Sequence, residues 1–457
     1  MASEQLLAAF IRDTNYDGLS QDTIATVKRE LIAFYGALIA GSATPAEAAA
    51  DYVSDIGGKA EATVFIKGGK VPAHQAAFAN AAVGRALDID DHIGPGAHIG
   101  AGAIPAAFAA AELIGGCSGK DFVTAVAIGV ETSLRLKLLE EDYAGFDPTG
   151  ITSIFAAAAA AAKLLGLDER DIWNTLGLAF DRCGASFQHY IDGVLGGPVM
   201  QGWLAEAGVE CARLTQYKIT GTVNFLEGVY GYFHLYGRDK ADIAYVTEAL
   251  GTKWNVPNLN FKKYPSCGLT QGSTELTLKM MQEHGFGGAD VERVEIPVPP
   301  FTHKLVGHPF KIGDNPRVDA QFNVAYCVSN ALLRAPVTLA HFEEKQIRDP
   351  EIEKFIKEKV TVISDPSVGR THYSTDLRVW TKDGKEYHGQ IDIPPGTPGN
   401  PMTDEDHRSR FYDCVGVSGI PWLKGREESI LSFLNTMEEQ EDVRGLIPYF
   451  IEAERTI

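Results

Sequence analysis

The sequence predicts a mainly α protein with a smaller α+β domain. Three observations carry that prediction. Through the first 260 residues or so, apolar residues recur at helical spacing, with capping residues before each run and glycines after. Period-2 alternation enters only between Val294 and Ile393, interleaved with helical stretches. From Thr403 the helical period returns and holds to the end. The expected domains are therefore a helical one, residues 1–264 with 403–457, and an α+β insert, residues 265–402.

The elements follow in order. Ser20 can cap a helix with apolar positions Ile24, Val27, Leu31, Tyr35 and Leu38, closed by Gly41. Thr44 and Pro45 open a second, to Tyr52. Ala73–Asp88 reads as a third. Gly94-Pro95-Gly96 breaks the chain there, and the next helix is placed near Pro105, because proline is tolerated in a first turn. Ser118 caps a helix through Leu138. Thr149–Leu165 is apolar all round and contains seven consecutive alanines, Ala156–Ala162; such a helix belongs at the centre of a helical domain. Asp168 caps another, through Leu178, and Met200–Arg213 is helical again. Beyond Phe261, Gly272–His284 is a helix ended by Gly285. Val294, Ile296 and Val298 alternate as a strand. Asp319–Leu333 has helical period, Asp349-Pro350 opens a short helix, and Lys359–Ser364 alternates. Leu377–Thr381, Asp383-Gly384 and Glu386–Ile393 form a hairpin around the turn that strand twist prefers. Pro394–Pro401 reads as a linker, and Thr403 with Asp406 as a capping box.

At 457 residues the chain can bury a large core. Hydrophobic residues make up 45% and charged residues 22%, as in soluble globular proteins, and the net charge of −19 argues against nucleic acid or an anionic membrane as partner. Met1–Arg12 lacks a basic start and a long apolar run, so no leader peptide is expected. The apolar stretches Ala101–Ala111 and Ile154–Ala162 are too short to span a bilayer. The six cysteines are scattered, with no Cys-x-x-Cys, which fits a reduced cytoplasm and no zinc or iron–sulfur site.

Chemistry concentrates at Asp88, Asp90, Asp91, His92 and His98. Were Asp88, Asp91 and His92 helical, their i, i+3, i+4 spacing would put them on one face. Acids and histidines at a helix break between buried helices are what proton transfer needs. Asp147 precedes the alanine-rich helix, as a cap or a site residue. Lys262 and Lys263 stand at the domain boundary, where ligands often bind. Tyr326 lies in a later helix. The glycine-rich turn Asp192–Pro198 lacks the context and lysine of a phosphate loop.

Ala-Leu-Asp-Ile-Asp-Asp (86–91), then His98 and Ile104-Pro-Ala-Ala, resembles the signature of the MmgE/PrpD family, which includes 2-methylcitrate dehydratase, cis-aconitate decarboxylase and iminodisuccinate epimerase. The likeness continues through Asp147-Pro-Thr-Gly, Leu226-Glu-Gly-Val-Tyr-Gly, Lys262-Lys-Tyr-Pro-Ser-Cys, Gly313-Asp-Asn-Pro-Arg, Ala320–Tyr326 and Gly399-Asn-Pro-Met. It implies a large helical domain with an α+β lid domain, a homodimer, no cofactor and no metal. It implies lyase or isomerase chemistry, moving a proton beside a carboxylate of a small acid. On it Asp88, His98, Lys262 and Tyr326 correspond to catalytic residues. Asp91, His92, Asp147 and Lys263 are expected to contact substrate. The sequence departs from the family where Gly197 replaces a lysine, Met200 a histidine, Asp147 a histidine and His92 a threonine. Two anion-binding groups are then missing and an acid is added. The expected substrate is a mono- or dicarboxylic acid, with an amine or hydroxyl opposite Asp147, rather than 2-methylcitrate or cis-aconitate. Against a lyase stand an epimerase using the same proton transfer, a catalytically silent member, and a metal-dependent hydrolase built on Asp88, Asp91, His92 and His98.

Overall fold

The computed structural model describes residues 2–452, apart from 95, 140, 141, 241 and 372. Its chain divides into two compact units, Met1–Leu259 with Cys414–Ile457, and Asn260–Asp413. Residues 260–264 and 403–413 thus lie in the second unit. The family of mainly helical, two-part folds expected from the sequence is the one observed.

In the first unit the helices that position the site are α1 (Gln21–Gly41), α2 (Ala73–Gly84), α3 (Gly100–Leu113), α4 (Gly119–Arg135), α5 (Pro148–Leu164), α6 (Glu169–Arg182) and α7 (Gly196–Gln216). Ser20, Ser118 and Asp168 cap α1, α4 and α6 through their side chains, as their positions imply. Helix α5 runs through the middle: Ala156–Ala162 are wholly buried, and α3, α4, α6 and α7 pack around it. The neighbours approach closely because glycines face the alanines. A Cβ at Gly129 would lie 2.5 Å from the Ala156 carbonyl oxygen, and one at Gly208 2.4 Å from the Ala157 Cβ. Among the described residues no helix is long and apolar enough to cross a membrane.

Two expected helices have different limits. The third helix stops at Gly84 instead of Asp88, because Asp88 takes a left-handed backbone, φ +54°. Asp91 and His92 are extended, so Asp88, Asp91 and His92 share no helix face. The fourth helix begins at Gly100, because the Asp91 carboxylate accepts the Ile99 and Gly100 amides at 3.1 and 3.0 Å. Pro105 therefore falls in its second turn. Pro95, the centre of the expected break, lies outside the described residues; Ile93 and Ala97 pair across it.

The second unit holds a four-stranded sheet. Strands β1 (Val291–Val298), β2 (Val360–Ser364), β3 (Thr375–Thr381) and β4 (Glu386–Ile391) lie in the order β2-β1-β3-β4, with β1 and β2 parallel and the other pairs antiparallel. Gly384 takes φ +83° in the hairpin turn. Helices α8 (Gln271–His284) and α9 (Val324–Arg334) pack on this sheet through Leu276, Met280, Val324 and Val328. The expected helix Asp319–Leu333 is two, Pro316–Gln321 and α9, because Asn323 turns its side chain back to accept the Tyr326 amide at 2.9 Å. Thr403 and Asp406 make the expected reciprocal cap.

Candidate active site

The site of the first unit is built where α2 ends. Arg85 follows the helix directly, its charge favoured at a helix C-terminus, and the left-handed turn at Asp88 folds the next carboxylate back toward it. Aspartate tolerates that backbone better than most residues, and such outliers cluster at functional positions. The Asp91 cap on α3 then fixes the return of the chain, bringing His98 against the two acids before it. The His98 amide donates to Thr149 Oγ1 at 3.1 Å, which ties the loop to the first turn of α5.

The resulting cluster is compact. Arg85 Nη1 lies 2.8 Å from Asp88 Oδ1 and 3.6 Å from Asp90 Oδ1. His98 Nε2 lies 3.4 Å from that same Asp88 oxygen, and Nδ1 lies 3.1 Å from that same Asp90 oxygen. Arg85 Nη2 donates to the Tyr190 hydroxyl at 2.8 Å. A neutral imidazole has one N–H and can donate to one of these carboxylates; a ring that gains a proton can donate to both. Asp88 is the most open member, its side chain 14% exposed against 1% for Asp90. Asp91 is occupied by its cap, and His92 is buried with its ring 6.3 Å from that of His98.

A second histidine–carboxylate pair adjoins the first. Asp147 is wholly buried. Its Oδ1 accepts the Thr149 and Gly150 amides at 2.6 and 3.3 Å, and its Oδ2 lies 3.2 Å from His189 Nε2. The His189 ring packs 4.3 Å from the Tyr190 ring. At Gly197 an added Cβ would meet His189 at 3.0 Å and Tyr190 at 3.2 Å, so these two rings fill the space a longer side chain would take. Met200 lines a cavity of about 380 Å³ together with His189, Ser186, Arg182 and Trp203. Asp147, expected to contact substrate, has His189 Nε2 beside its second oxygen.

Behind the acids lies Glu30, fully buried on α1. A Cβ at Gly100 would sit 2.5 Å from its Oε1 and 2.8 Å from Asp91 Oδ1. Burial first, then Asp91 and Asp90, push the Glu30 carboxyl well above its ordinary range. Burial and Asp90 raise Asp91 to about 6, against the opposing pull of His98 and the two capping amides. A carboxyl raised in the native state stabilises it below the unfolded value and loses that stability as pH rises through the native one. For Asp91, raised from 3.8 to about 6, the loss is on the order of 3 kcal/mol, and Glu30 adds to it. Glu30→Gln should therefore flatten the fall of the urea midpoint between pH 4 and 8. A variant whose midpoint falls as steeply as wild type's would place the charge elsewhere.

The other expected residues lie in the second unit. Lys262 is buried. Lys263 is half-buried, its ammonium 3.2 Å from Glu275 and 3.3 Å from Asp406. Tyr326 is buried between Phe310 and Phe342, and its hydroxyl donates to the His341 carbonyl at 2.6 Å.

Asp88, Asp90 and His98 offer three ligand atoms within 4.8 Å of one another. Asp91 and His92 are not in that set. The Arg85 guanidinium already sits on the same Asp88 and Asp90 oxygens, so a metal ion would have to displace it against charge repulsion.

Two family comparisons decide the lineage. The MmgE/PrpD N-terminal domain matches residues 5–243, and the MmgE/PrpD C-terminal domain matches residues 264–426. The chain belongs to the MmgE/PrpD family. Cis-aconitate decarboxylase-like protein oryM of Aspergillus oryzae (strain ATCC 42149 / RIB 40) is 24% identical over 472 residues, covering 96% of each chain. MmgE/PrpD membership and this relative support an enzyme of the dehydratase or decarboxylase type in general. What the sequence reading of this MmgE/PrpD chain missed is Arg85, His189, Tyr190 and Glu30. Arg85 had a signal, a lone cation between Gly84 and Ala86-Leu87 in an apolar run. His189 had none, since its partner lies 42 positions earlier (189 − 147).

Proposed function

We propose that this chain is a cofactor-independent lyase that removes a proton beside the carboxylate of a small mono- or dicarboxylic acid. The observation that carries the reading is the His98 ring held between two carboxylates that share one buried guanidinium. In it, His98 takes the proton, with Asp88 as the more open of its two partners. Asp90 lies 3.1 Å from Nδ1, and the Arg85 guanidinium lies against both acids. The roles of Lys262 as carboxylate holder and Tyr326 as proton donor rest on the family resemblance alone. Tyr326 would have to give up its bond to His341 first.

The substrate class follows from the second pair. Gly197 and Met200 bring no cation, and His189 is engaged by Asp147. A third carboxylate would then find no cation at positions 197 and 200, and burying one unpaired is costly. Incubation in deuterium oxide with a panel of mono-, di- and tricarboxylates, read by mass spectrometry, tests this. Deuterium uptake or elimination is expected with the smaller acids. 2-Methylcitrate and cis-aconitate should react with kcat/KM below about 10⁴ M⁻¹s⁻¹; efficient turnover of either would refute the substrate class. Deuterium uptake with an inverted centre and no elimination would make the enzyme an epimerase.

A further inference from the structure

Two histidine–carboxylate pairs stand on either side of Arg85 and Tyr190, and the contacts between them close into a ring. Asp88 contacts His98, and the His98 amide donates to Thr149. The Thr149 amide donates to Asp147, which holds His189. His189 packs on Tyr190, whose hydroxyl accepts from Arg85, and Arg85 returns to Asp88. The proton transfer proposed above uses only the His98 half. An elimination needs a second group, one that protonates what leaves as the first proton is taken. Tyr326 has its hydroxyl proton on a backbone carbonyl.

Resting on the lyase reading above, we propose that His189 is the general acid of the reaction when the bound acid carries a β-hydroxyl, acting opposite His98. Three features fit His189 for this. Its Nε2 lies 3.2 Å from an oxygen of a carboxylate that is wholly buried. Its Nδ1 makes no hydrogen bond among the described residues. It lines the cavity of about 380 Å³, from which solvent can restore its proton after each turnover. In the step, His98 takes the proton from the carbon beside the carboxylate. The electron pair of that C–H bond forms the C=C bond, and the C–O bond to the hydroxyl breaks. His189 gives its proton to the departing oxygen, and water leaves. His98 then releases its proton to solvent and His189 takes one up, so the cycle balances.

The full-length protein, labelled with ¹⁵N in its histidine rings, would be titrated with malate, 3-hydroxybutyrate and succinate. His98 and His189 signals are assigned by His98→Asn and His189→Gln. With at least one hydroxy acid, both sets of ring signals should move with one apparent Kd. In deuterium oxide His189→Gln should still exchange the carbon-bound proton of that acid, while alkene release falls by roughly 100-fold or more. A purely structural role would lower both rates together. Asp147→Asn, which removes the carboxylate beside His189 Nε2, should lower alkene release more than exchange. If His98 signals move and those of His189 do not, or if His189→Gln releases alkene at the wild-type rate, His189 is not the acid. If neither set moves with any of the three acids, the lyase reading fails with it.

Discussion

His98→Asn should lower turnover by roughly 10²–10⁴-fold, the range contributed by a positioned proton-transfer group, with a small change in KM and in unfolding temperature. Asparagine keeps a polar side chain beside Asp90 but cannot hold a proton. The His98 backbone contact to Thr149 is untouched, so the loop keeps its path. Asp88→Asn should cost turnover by a similar factor, and somewhat more stability, because Arg85 then loses the shorter of its two carboxylate contacts and keeps Asp90 at 3.6 Å. The two losses should not multiply in the double variant, since both residues serve one proton transfer and removing either already stops it. Steady-state rates of the two single variants and the double one measure this. Near-full activity in either single variant would mean that the proton leaves by another route. A double variant slower by the product of the two factors would mean that the residues act in separate steps.

How much of this was legible differs from residue to residue. Caps were readable because they are local: Ser20, Ser118 and Asp168 each reach an amide three residues on, a distance the sequence fixes by itself. The hairpin at Asp383-Gly384 is local in the same sense. The buried centre of the helical unit was readable from composition, since seven alanines in a row can only be packed against close neighbours. The acidic segment misled for a physical reason. Its spacing is helical, but Asp88 adopts a left-handed turn that burial of Asp90 and the cap made by Asp91 hold in place, and no periodicity reports a tertiary contact. The same holds for Asp147. Its cap was foreseen, but His189 on its other oxygen comes from a separate element, and its charge was therefore assigned to a ligand. Departures from the family at Asp147 and Gly197 looked like independent losses in sequence. In the fold one ring answers both, with His189 paired to the acid and filling the space beside the glycine.

Arg85→Met should destabilise the protein by about 3–5 kcal/mol at neutral pH, the cost of leaving buried charge without its partner. The side chain is 3% exposed and lies against Asp88, Asp90 and the Tyr190 hydroxyl. Methionine fills much of the same volume and brings no charge, so packing loss is a minor part of the effect. The pH dependence identifies the cause. Without the guanidinium, the native state gains by binding protons on Asp88 and Asp90, whereas the unfolded chain titrates as ordinary aspartate near 3.9. Native proton uptake makes stability fall as pH rises. The deficit of the variant should therefore be larger at high pH and shrink as pH falls. Urea unfolding at pH 4, 6 and 8, with wild type alongside, gives the comparison. Arg85→Lys separates charge from shape. A single ammonium can meet the carboxylates or the tyrosine but lacks the planar fork that meets both, so it should recover much of the stability and little of the turnover. A constant deficit across pH would assign the loss to packing. An Arg85→Met protein within 1 kcal/mol of wild type at pH 8, the size of a surface substitution, would mean that His98 alone balances the two acids.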